Sequence, residues 1–212
     1  MNATTLVQLL ADRPSRAGQF NPFRDRDPEH DLEEAPSIRR SNLISYLEAM
    51  QQLRPRHFWL GEAPGYNGVR RSGIYLISEP HLDWLSSQLS GFQFQKATFT
   101  PPKATATSKQ IVKLLPLISR LPLTFDVMPF HTFQAHAPYR NRSPKKNELI
   151  EQLDILNILI EWFQPESCIA IGRKAELACH TLGIAASYVR HPSRGGQKEF
   201  EAGMAAIYHF SE

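Results

Sequence analysis

The fold is decided by the stretch Phe58-Trp59-Leu60-Gly61-Glu62-Ala63-Pro64-Gly65-Tyr66-Asn67-Gly68-Val69-Arg70-Arg71-Ser72-Gly73. A short apolar run passes directly into a loop with four glycines, one proline and two arginines. This pattern is typical of α/β proteins, which bind ligands beyond the carboxyl ends of their strands. The loop is not a P-loop, because Ile74 and Tyr75 follow Gly73 where Lys and then Ser or Thr are required. It also lacks the Gly-x-Gly of a Rossmann fingerprint.

The composition indicates one compact domain with an uneven distribution of charge. At 212 residues the chain is long enough to bury a sizeable core. The net charge of +3 is mild, but acidic residues concentrate in the stretch 25–34 and basic residues near the glycine- and proline-rich loops. A basic face assembled from separate loops is what contacts with phosphate groups need. These basic residues are Arg70, Arg71, Arg140, Arg142, Lys145, Lys146, Arg173, Lys174, Arg190, Arg194 and Lys198.

The cysteine content and the apolar runs exclude several classes of protein. Two cysteines, Cys168 and Cys179, are too few for a four-cysteine iron–sulfur cluster or zinc site, and both are interpreted as structural thiols. No secretory signal or membrane-spanning run is visible in the sequence. We therefore expect a cytoplasmic monomer with no membrane partner, no cofactor and no metal ion.

Four short apolar runs predict the strands of one central sheet, and helical patterns lie between them. The predicted strands are Arg56–Gly61, Thr124–Pro129, Ser167–Ile171 and Ala186–Val189. Strands that alternate with helices predict an α/β fold, a three-layer α/β/α sandwich with a central, mainly parallel four-stranded sheet. Residues 1–37 are interpreted as an N-terminal extension that wraps the domain, and residues 38–212 as the α/β/α domain.

Local signals predict the ends of several other elements. Ser41 or Asn42 is expected to cap one helix, and Ser108 another. Phe92–Thr100 alternates apolar and polar residues and predicts an edge strand or hairpin. Ser143-Pro144 is expected to start a long helix.

Three of the predicted strands end in unusual loops, Gly61–Gly65, Asp126–His131 and His191–Gly196. In a parallel sheet the carboxyl ends of the strands lie along one edge, so these loops are expected to meet at one pocket. Between them they carry two carboxylates, Glu62 and Asp126, and the imidazoles of His131 and His191.

Four segments of the chain resemble, in order, the motifs of the uracil-DNA glycosylase superfamily. Gly61-Glu62-Ala63-Pro64-Gly65 is similar to its first active-site motif in the Gly-Glu-Ala-Pro-Gly form, and His191-Pro192-Ser193 is similar to its second. Phe125–Phe130 and Asn141-Arg142-Ser143-Pro144 fall where the family has its base-reading strand and the start of the following helix. Ile169–Ala175 resembles the strand–Gly–Arg–helix step of the family. The resemblance runs from about residue 39 to residue 200.

The resemblance implies a monofunctional DNA glycosylase, with DNA as its partner. Such an enzyme extrudes a pyrimidine nucleotide, hydrolyses its N-glycosidic bond and leaves an abasic site. His191 would donate to the base carbonyl O2, while Glu62 or Asp126 would orient water or stabilise the cationic sugar. The expected base-binding residues are Gly61, Ala63, Gly65, Tyr75, Leu76 and Asp126. The expected DNA-binding residues are Arg70, Arg71, Arg142, Ser193, Arg194 and Gly195.

Asp126 departs from the family, which usually has Asn at this position. An amide donates to O4 of uracil and accepts from its N3–H, whereas an ionised carboxylate only accepts. Cytosine offers a 4-amino donor to such a carboxylate, and a buried polar group left unpaired costs about 1–3 kcal/mol. Asp126 therefore favours a cytosine-type base, although a protonated Asp126 still suits uracil.

Two further departures concern the walls of the expected pocket. Tyr75-Leu76 stands where Pro-Phe is usual, so base stacking moves to Tyr75 or weakens. Uracil-specific members of the family have a bulky residue at the position of Gly65, which blocks a substituent on C5 of the base. Gly65 leaves this side of the pocket open, and several relatives share the glycine.

These departures lead to a hypothesis about the substrate. Because excision of plain cytosine would damage the host's own DNA, we expect a modified cytosine, such as the C5-glucosylated hydroxymethylcytosine of phage DNA, and a role in phage defence. A uracil-DNA glycosylase of base excision repair is the alternative. From other classes, a non-catalytic DNA-binding module on the same fold and a nucleotide-binding enzyme on a similar frame also stay open.

Overall fold

A computed structural model describes residues 1–209. The strands are β1 (Gln19–Phe20), β2 (His57–Gly61), β3 (Leu123–Asp126), β4 (His131–Gln134), β5 (Ala137–Asn141), β6 (Ser167–Ile171) and β7 (Ala186–Val189). The α-helices are α1 (Ala3–Asp12), α2 (Ala35–Leu53), α3 (Val69–Ser72), α4 (Leu82–Gln88), α5 (Ala106–Leu114), α6 (Lys146–Ile150), α7 (Leu153–Phe163), α8 (Arg173–Thr181) and α9 (Gln197–Tyr208). Short 3₁₀ turns occupy Glu79–His81 and Leu115–Leu117.

Four strands form the central sheet in the order β3-β2-β6-β7, and every pairing between them is parallel. The strands are buried because their residues are almost wholly apolar, as in β2, where Phe58, Trp59 and Leu60 are shielded from solvent. Helices flank the sheet, with α8 packed on β6 and β7 and α9 packed on β7. The predicted α/β fold and its four-stranded sheet are confirmed, and the sheet is wholly parallel.

The N-terminal residues contribute to the core of the described structure. Leu6 and Leu10 of α1 are completely buried, and α1 packs along α2. The side chain of Asn21 donates to the carbonyl oxygens of Leu10 and Arg13 at 2.8 and 2.9 Å, which fixes the turn after α1. The division at residue 37 stays a prediction, and residues 210–212 of the expected domain lie outside the described residues.

Three predicted element boundaries are wrong. Helix α2 begins at Ala35 with Pro36 in its first turn, so Ser41 and Asn42 lie inside it. Helix α5 is capped by Thr105, whose side chain accepts from Ser108 N–H, rather than by Ser108 itself. The chain after Pro144 forms two helices, α6 and α7, instead of one long helix.

The segment Phe92–Thr100 is not a strand. It is irregular apart from a single bridge between Thr98 and Asp31. Two of its amides are bound by side chains, since Asn42 accepts from Gln95 N–H at 2.9 Å and Ser86 accepts from Phe94 N–H at 3.2 Å. For these two amides, side-chain acceptors replace the neighbouring strand that an edge strand requires.

A second, smaller sheet was not predicted. It is antiparallel, with the order β1-β4-β5, and its hairpin β4–β5 directly follows the carboxyl end of β3. This hairpin carries Asn141 to the same edge of the central sheet as Asp126.

Both cysteines are free and buried, with their Sγ atoms 3.6 Å apart. Over residues 1–209, no helix is both long enough and apolar enough to cross a membrane.

We expect Leu10→Ala to lower the free energy of unfolding by about 2–5 kcal/mol, because it removes a fully buried side chain from the contact between α1 and α2. Leu9→Ala is the matched control, since the neighbouring Leu9 is 36% exposed. Urea unfolding should give one transition, shifted only in the Leu10 variant. Equal and small shifts for both variants would show that residues 1–37 do not share the cooperative core.

Candidate active site

A cavity of about 480 Å³ lies at the carboxyl edge of the central sheet. Its volume is within the range of about 300–1,000 Å³ that is usual for small-molecule sites. It is lined from the ends of all four strands and from the β4–β5 hairpin. The three predicted catalytic residues all face it: Glu62, Asp126 and His191.

Asp126 is the last residue of β3 and pairs in register with Gly61 of β2. Gly61 is required here, because a Cβ atom at this position would lie 2.1 Å from Asp126 Oδ1. The Asp126 carboxyl is buried and has no side-chain hydrogen bond to any residue in the range 1–209. Loss of solvation, and secondly the charge of Glu62, raise the pKa of Asp126 from 3.8 to about 8. At neutral pH Asp126 is therefore a neutral acid that both donates and accepts.

The proton on His191 is placed by Ser193. The Ser193 backbone N–H donates to His191 Nδ1 at 3.2 Å, and the Ser193 hydroxyl is 2.7 Å from the same nitrogen. Since a backbone N–H only donates, Nδ1 accepts and the ring proton is on Nε2. Burial lowers the pKa of His191, which keeps the ring neutral. Its Nε2–H is thus the group left to donate to a ligand in the cavity.

Glu62 is held by two donors at the mouth of the cavity. Its Oε1 accepts from the Ser143 hydroxyl at 2.5 Å and lies 3.1 Å from Lys174 Nζ. Lys174 also donates to Ser143 Oγ and, at 2.7 Å, to the Pro144 carbonyl oxygen. The Glu62 side chain stays 27% exposed, so its carboxylate is fixed in place and still reaches solvent.

The predicted base-binding residues divide into three groups. Ala63, Gly65 and Leu76 line the cavity, and Leu76 does so with the left-handed backbone angle φ of 62°. Gly61 lies behind the carboxyl of Asp126. Tyr75 is not part of the lining: its ring is fully buried against Phe125 with ring centroids 3.8 Å apart, and its hydroxyl donates to Pro129 O at 3.2 Å.

Arg70 and Arg71, two of the predicted DNA-binding residues, do not line the cavity. Both are buried, and each forms an ion pair with a carboxylate from elsewhere in the chain. Arg70 Nη2 is 2.8 Å from Asp27, and Arg71 Nε is 2.9 Å from Glu79. These arginines hold the glycine loop against the N-terminal residues and against the 3₁₀ turn at Glu79–His81.

Arg142 borders the cavity, but its donors are already engaged. Its guanidinium binds Glu148 through two bonds of 2.7 and 2.9 Å, which lower the pKa of Glu148 to about 2. The other N–H groups donate to the carbonyl oxygens of Phe133, Ser143 and Gly18. Arg142 therefore ties the hairpin to α6 and has no donor left for a phosphate group.

The loop after β7 contributes the exposed basic rim. Arg194 lines the cavity, and so do Arg173 and Arg190. Neither Arg190 nor Arg194 is ion-paired with another of the described residues. Ser193 also lines the cavity, but its N–H serves His191 rather than a ligand; Gly195 lies next to Arg194, outside the lining.

His131, the remaining polar residue of the three loops, is buried behind the wall. Sequence reasoning missed Thr105, which lines the cavity. It quoted Asn141 and Ser143 only as part of a family motif, and Arg173, Lys174 and Arg190 only as basic residues, without placing any of them in the active site. Arg173 and Lys174 follow the glycine that ends β6, which is the one sequence signal that could have indicated them.

Comparison with solved structures gives a match over nearly the whole chain. Wild-type SMUG2 of Pedobacter heparinus, a uracil-DNA glycosylase superfamily member, superposes with a TM-score of 0.63, covering 98% of this chain and 97% of that chain. This chain therefore has the same fold as SMUG2. Sequence identity to SMUG2 is 14%. No family model matches the sequence, and no curated protein matches it significantly.

We expect Asp126→Asn to stabilise the protein more at about pH 8.5 than at about pH 5. The pKa of Asp126 is about 8 in the folded protein and 3.8 without burial, so its contribution to stability is complete below about pH 4 and lost as pH rises towards 8. Asn cannot ionise and avoids this loss, which is on the order of a few kcal/mol at about 1.4 kcal/mol per pH unit.

Urea unfolding of both proteins at the two pH values measures this difference. The comparison between pH values removes any constant effect of exchanging the side chains. The same stabilisation at both pH values would contradict a raised pKa for Asp126.

Proposed function

We propose that this protein is a monofunctional DNA glycosylase that hydrolyses the N-glycosidic bond of an extruded pyrimidine nucleotide. The observation that carries the proposal is the arrangement of Glu62, Asp126 and His191 around one cavity at the carboxyl edge of the sheet. The exposed arginines Arg190 and Arg194 at the rim suit the phosphate groups of DNA.

His191 is proposed to stabilise the departing base. When the glycosidic bond breaks, the base leaves as an anion whose charge is shared by its O2 atom. A neutral imidazole with its proton on Nε2 donates to that oxygen without first losing a charge. The donor is oriented in advance by Ser193, so little reorganisation is needed as the negative charge develops.

Glu62 is proposed to act on the sugar and the water. Its carboxylate is fixed by Ser143 and Lys174 and still reaches solvent, which suits a group that orients water and faces an oxocarbenium-like sugar. Asp126 is a poor candidate for this role, because a carboxyl that is protonated at neutral pH takes up no proton from water.

Asp126 is proposed to read the Watson–Crick edge of the base. As a neutral acid it pairs with cytosine by accepting from the 4-amino group and donating to N3, or with uracil by accepting from N3–H and donating to O4. The preference for cytosine that an ionised carboxylate would impose therefore disappears at neutral pH. The choice of base must come from the rest of the cavity.

A C5-modified cytosine stays our first candidate substrate, and a role against phage DNA that contains such bases is part of this proposal. It is supported by the open wall at Gly65 and by a cavity larger than an unmodified pyrimidine ring. Uracil is the second candidate, since the neutral Asp126 suits it equally well. A DNA-binding module without activity is the candidate from another class.

The test is base release from duplexes that carry uracil, cytosine, 5-hydroxymethylcytosine or its glucosylated form. We expect alkali-labile abasic sites in the modified duplexes, with Glu62→Gln slower by about 10²–10⁴-fold. Release of uracil alone would overturn the modified-cytosine proposal. DNA binding without release from any duplex would overturn the enzyme proposal and support the inactive module.

We expect Lys174→Met to lower kcat by roughly tenfold or more with little change in KM, because Glu62 loses the cation that fixes its carboxylate. Lys174→Arg should restore part of the rate. Arg173→Met is the matched control, since Arg173 is exposed and paired with Glu176, so only KM and its dependence on salt should change. A rise in KM without a fall in kcat for Lys174→Met would assign Lys174 to DNA binding instead.

A further inference from the structure

A chain of hydrogen bonds runs from Arg70 through His131 to Asn141. Arg70 Nη1 is 3.1 Å from His131 Nδ1, and His131 Nε2 is 3.0 Å from Asn141 Oδ1. Because a guanidinium only donates, Nδ1 of His131 accepts and its ring proton is on Nε2. Burial, and secondly the charge of Arg70, lower the pKa of His131 to about 3, so the ring is neutral. Its Nε2–H therefore donates to Asn141.

The orientation of the Asn141 amide is fixed by a second donor. Tyr66 N–H lies 2.9 Å from Asn141 Oδ1, and a backbone N–H cannot accept. Both donors meet the same oxygen, so the amide cannot be reversed without losing both bonds. The amino group Nδ2 is left as the free end, and it has no acceptor among residues 1–209.

Nδ2 of Asn141 borders the open wall of the cavity at Gly65. A Cβ atom built on Gly65 would lie 3.1 Å from Nδ2, so the absence of a side chain keeps this donor accessible. Both residues line the cavity, together with the methyl-bearing side of Thr105.

The position of Asn141 relative to His191 indicates which part of a bound base it meets. Asn141 belongs to the hairpin after β3, and His191 follows β7 at the opposite end of the sheet edge. In a pyrimidine ring the C2 and C5 atoms are opposite corners. A base whose O2 faces His191 and whose position 4 faces Asp126 therefore directs C5 away from His191, towards the side of Gly65 and Asn141.

We propose that Asn141 is a specificity-determining residue whose Nδ2 donates to an oxygen on the C5 substituent of the extruded pyrimidine. The inference rests on the proposed base orientation and names a substrate class, pyrimidines with an oxygen on the C5 substituent. Arg70 and His131 act as positioning residues that hold the amide in this orientation.

Asn141→Asp tests the proposal with little change in shape. Its Oδ1 still accepts from Tyr66 and His131, while the other oxygen replaces the donor by an acceptor. The probes are oligonucleotides with a single 5-hydroxymethylcytosine or 5-methylcytosine, compared by equilibrium binding and by base release. We expect the wild type to prefer the hydroxymethyl base by roughly three- to tenfold, the range of one hydrogen bond, and the variant to lose this preference.

Asn147→Asp is the matched control, because it makes the same change of charge at an exposed position outside the cavity lining. It should weaken binding to both oligonucleotides equally and keep the preference. A wild type without the preference, or a variant that retains it, would overturn the proposal. Binding preference that depends on Asn141 without any base release would uphold the proposal and overturn the glycosylase function, so the two failures are distinguishable.

Discussion

The site depends on the pairing of β2 with β3, which brings Gly61 against Asp126 with no side chain between them. A Cβ atom at Gly61 would lie 2.1 Å from the Asp126 carboxyl, so any other residue there would displace it. The pairing also removes that carboxyl from water, and this loss of solvation raises its pKa. A neutral acid in the cavity is thus a consequence first of strand pairing and burial, and second of the negative charge of Glu62.

The two histidines near the site obtain their proton positions from groups that only donate. Ser193 N–H fixes His191, and Arg70 fixes His131, and in each ring the remaining proton is on Nε2. Burial lowers the pKa of both rings, so neither carries a charge at neutral pH. With Asp126 also neutral, the charge at the cavity is that of the Glu62–Lys174 pair and of the basic rim. His191 is therefore a neutral donor in this site, and the Glu62 carboxylate is neutralised by Lys174.

The strands and their loops were predictable because short apolar runs that end at glycine or proline are typical of the buried strands of a parallel sheet. Topology alone then brings Glu62, Asp126 and His191 to one edge. Tertiary partners were not predictable in this way. Phe92–Thr100 alternates like a strand, yet the side chains of Asn42 and Ser86 accept from two of its amides. Asn141 showed no sign of its role, because its orientation depends on His131, whose proton position depends in turn on Arg70.

The ion pairs of Arg70 and Arg71 were not predictable from the sequence either, and they determine which basic residues stay exposed at the site. Arg70 and Arg71 stand beside the glycine loop in sequence, but Asp27 and Glu79 neutralise them in the folded chain. The acidic stretch 25–34 that seemed separate from the basic loops thus supplies one of their partners. What stays exposed is the rim of Arg190 and Arg194 at the β7 end, while the β3 end presents the uncharged Leu76 and Asn141. Under the proposed function, phosphate groups would meet the first wall and a base edge the second, so the unequal walls would favour one direction of entry for an extruded nucleotide.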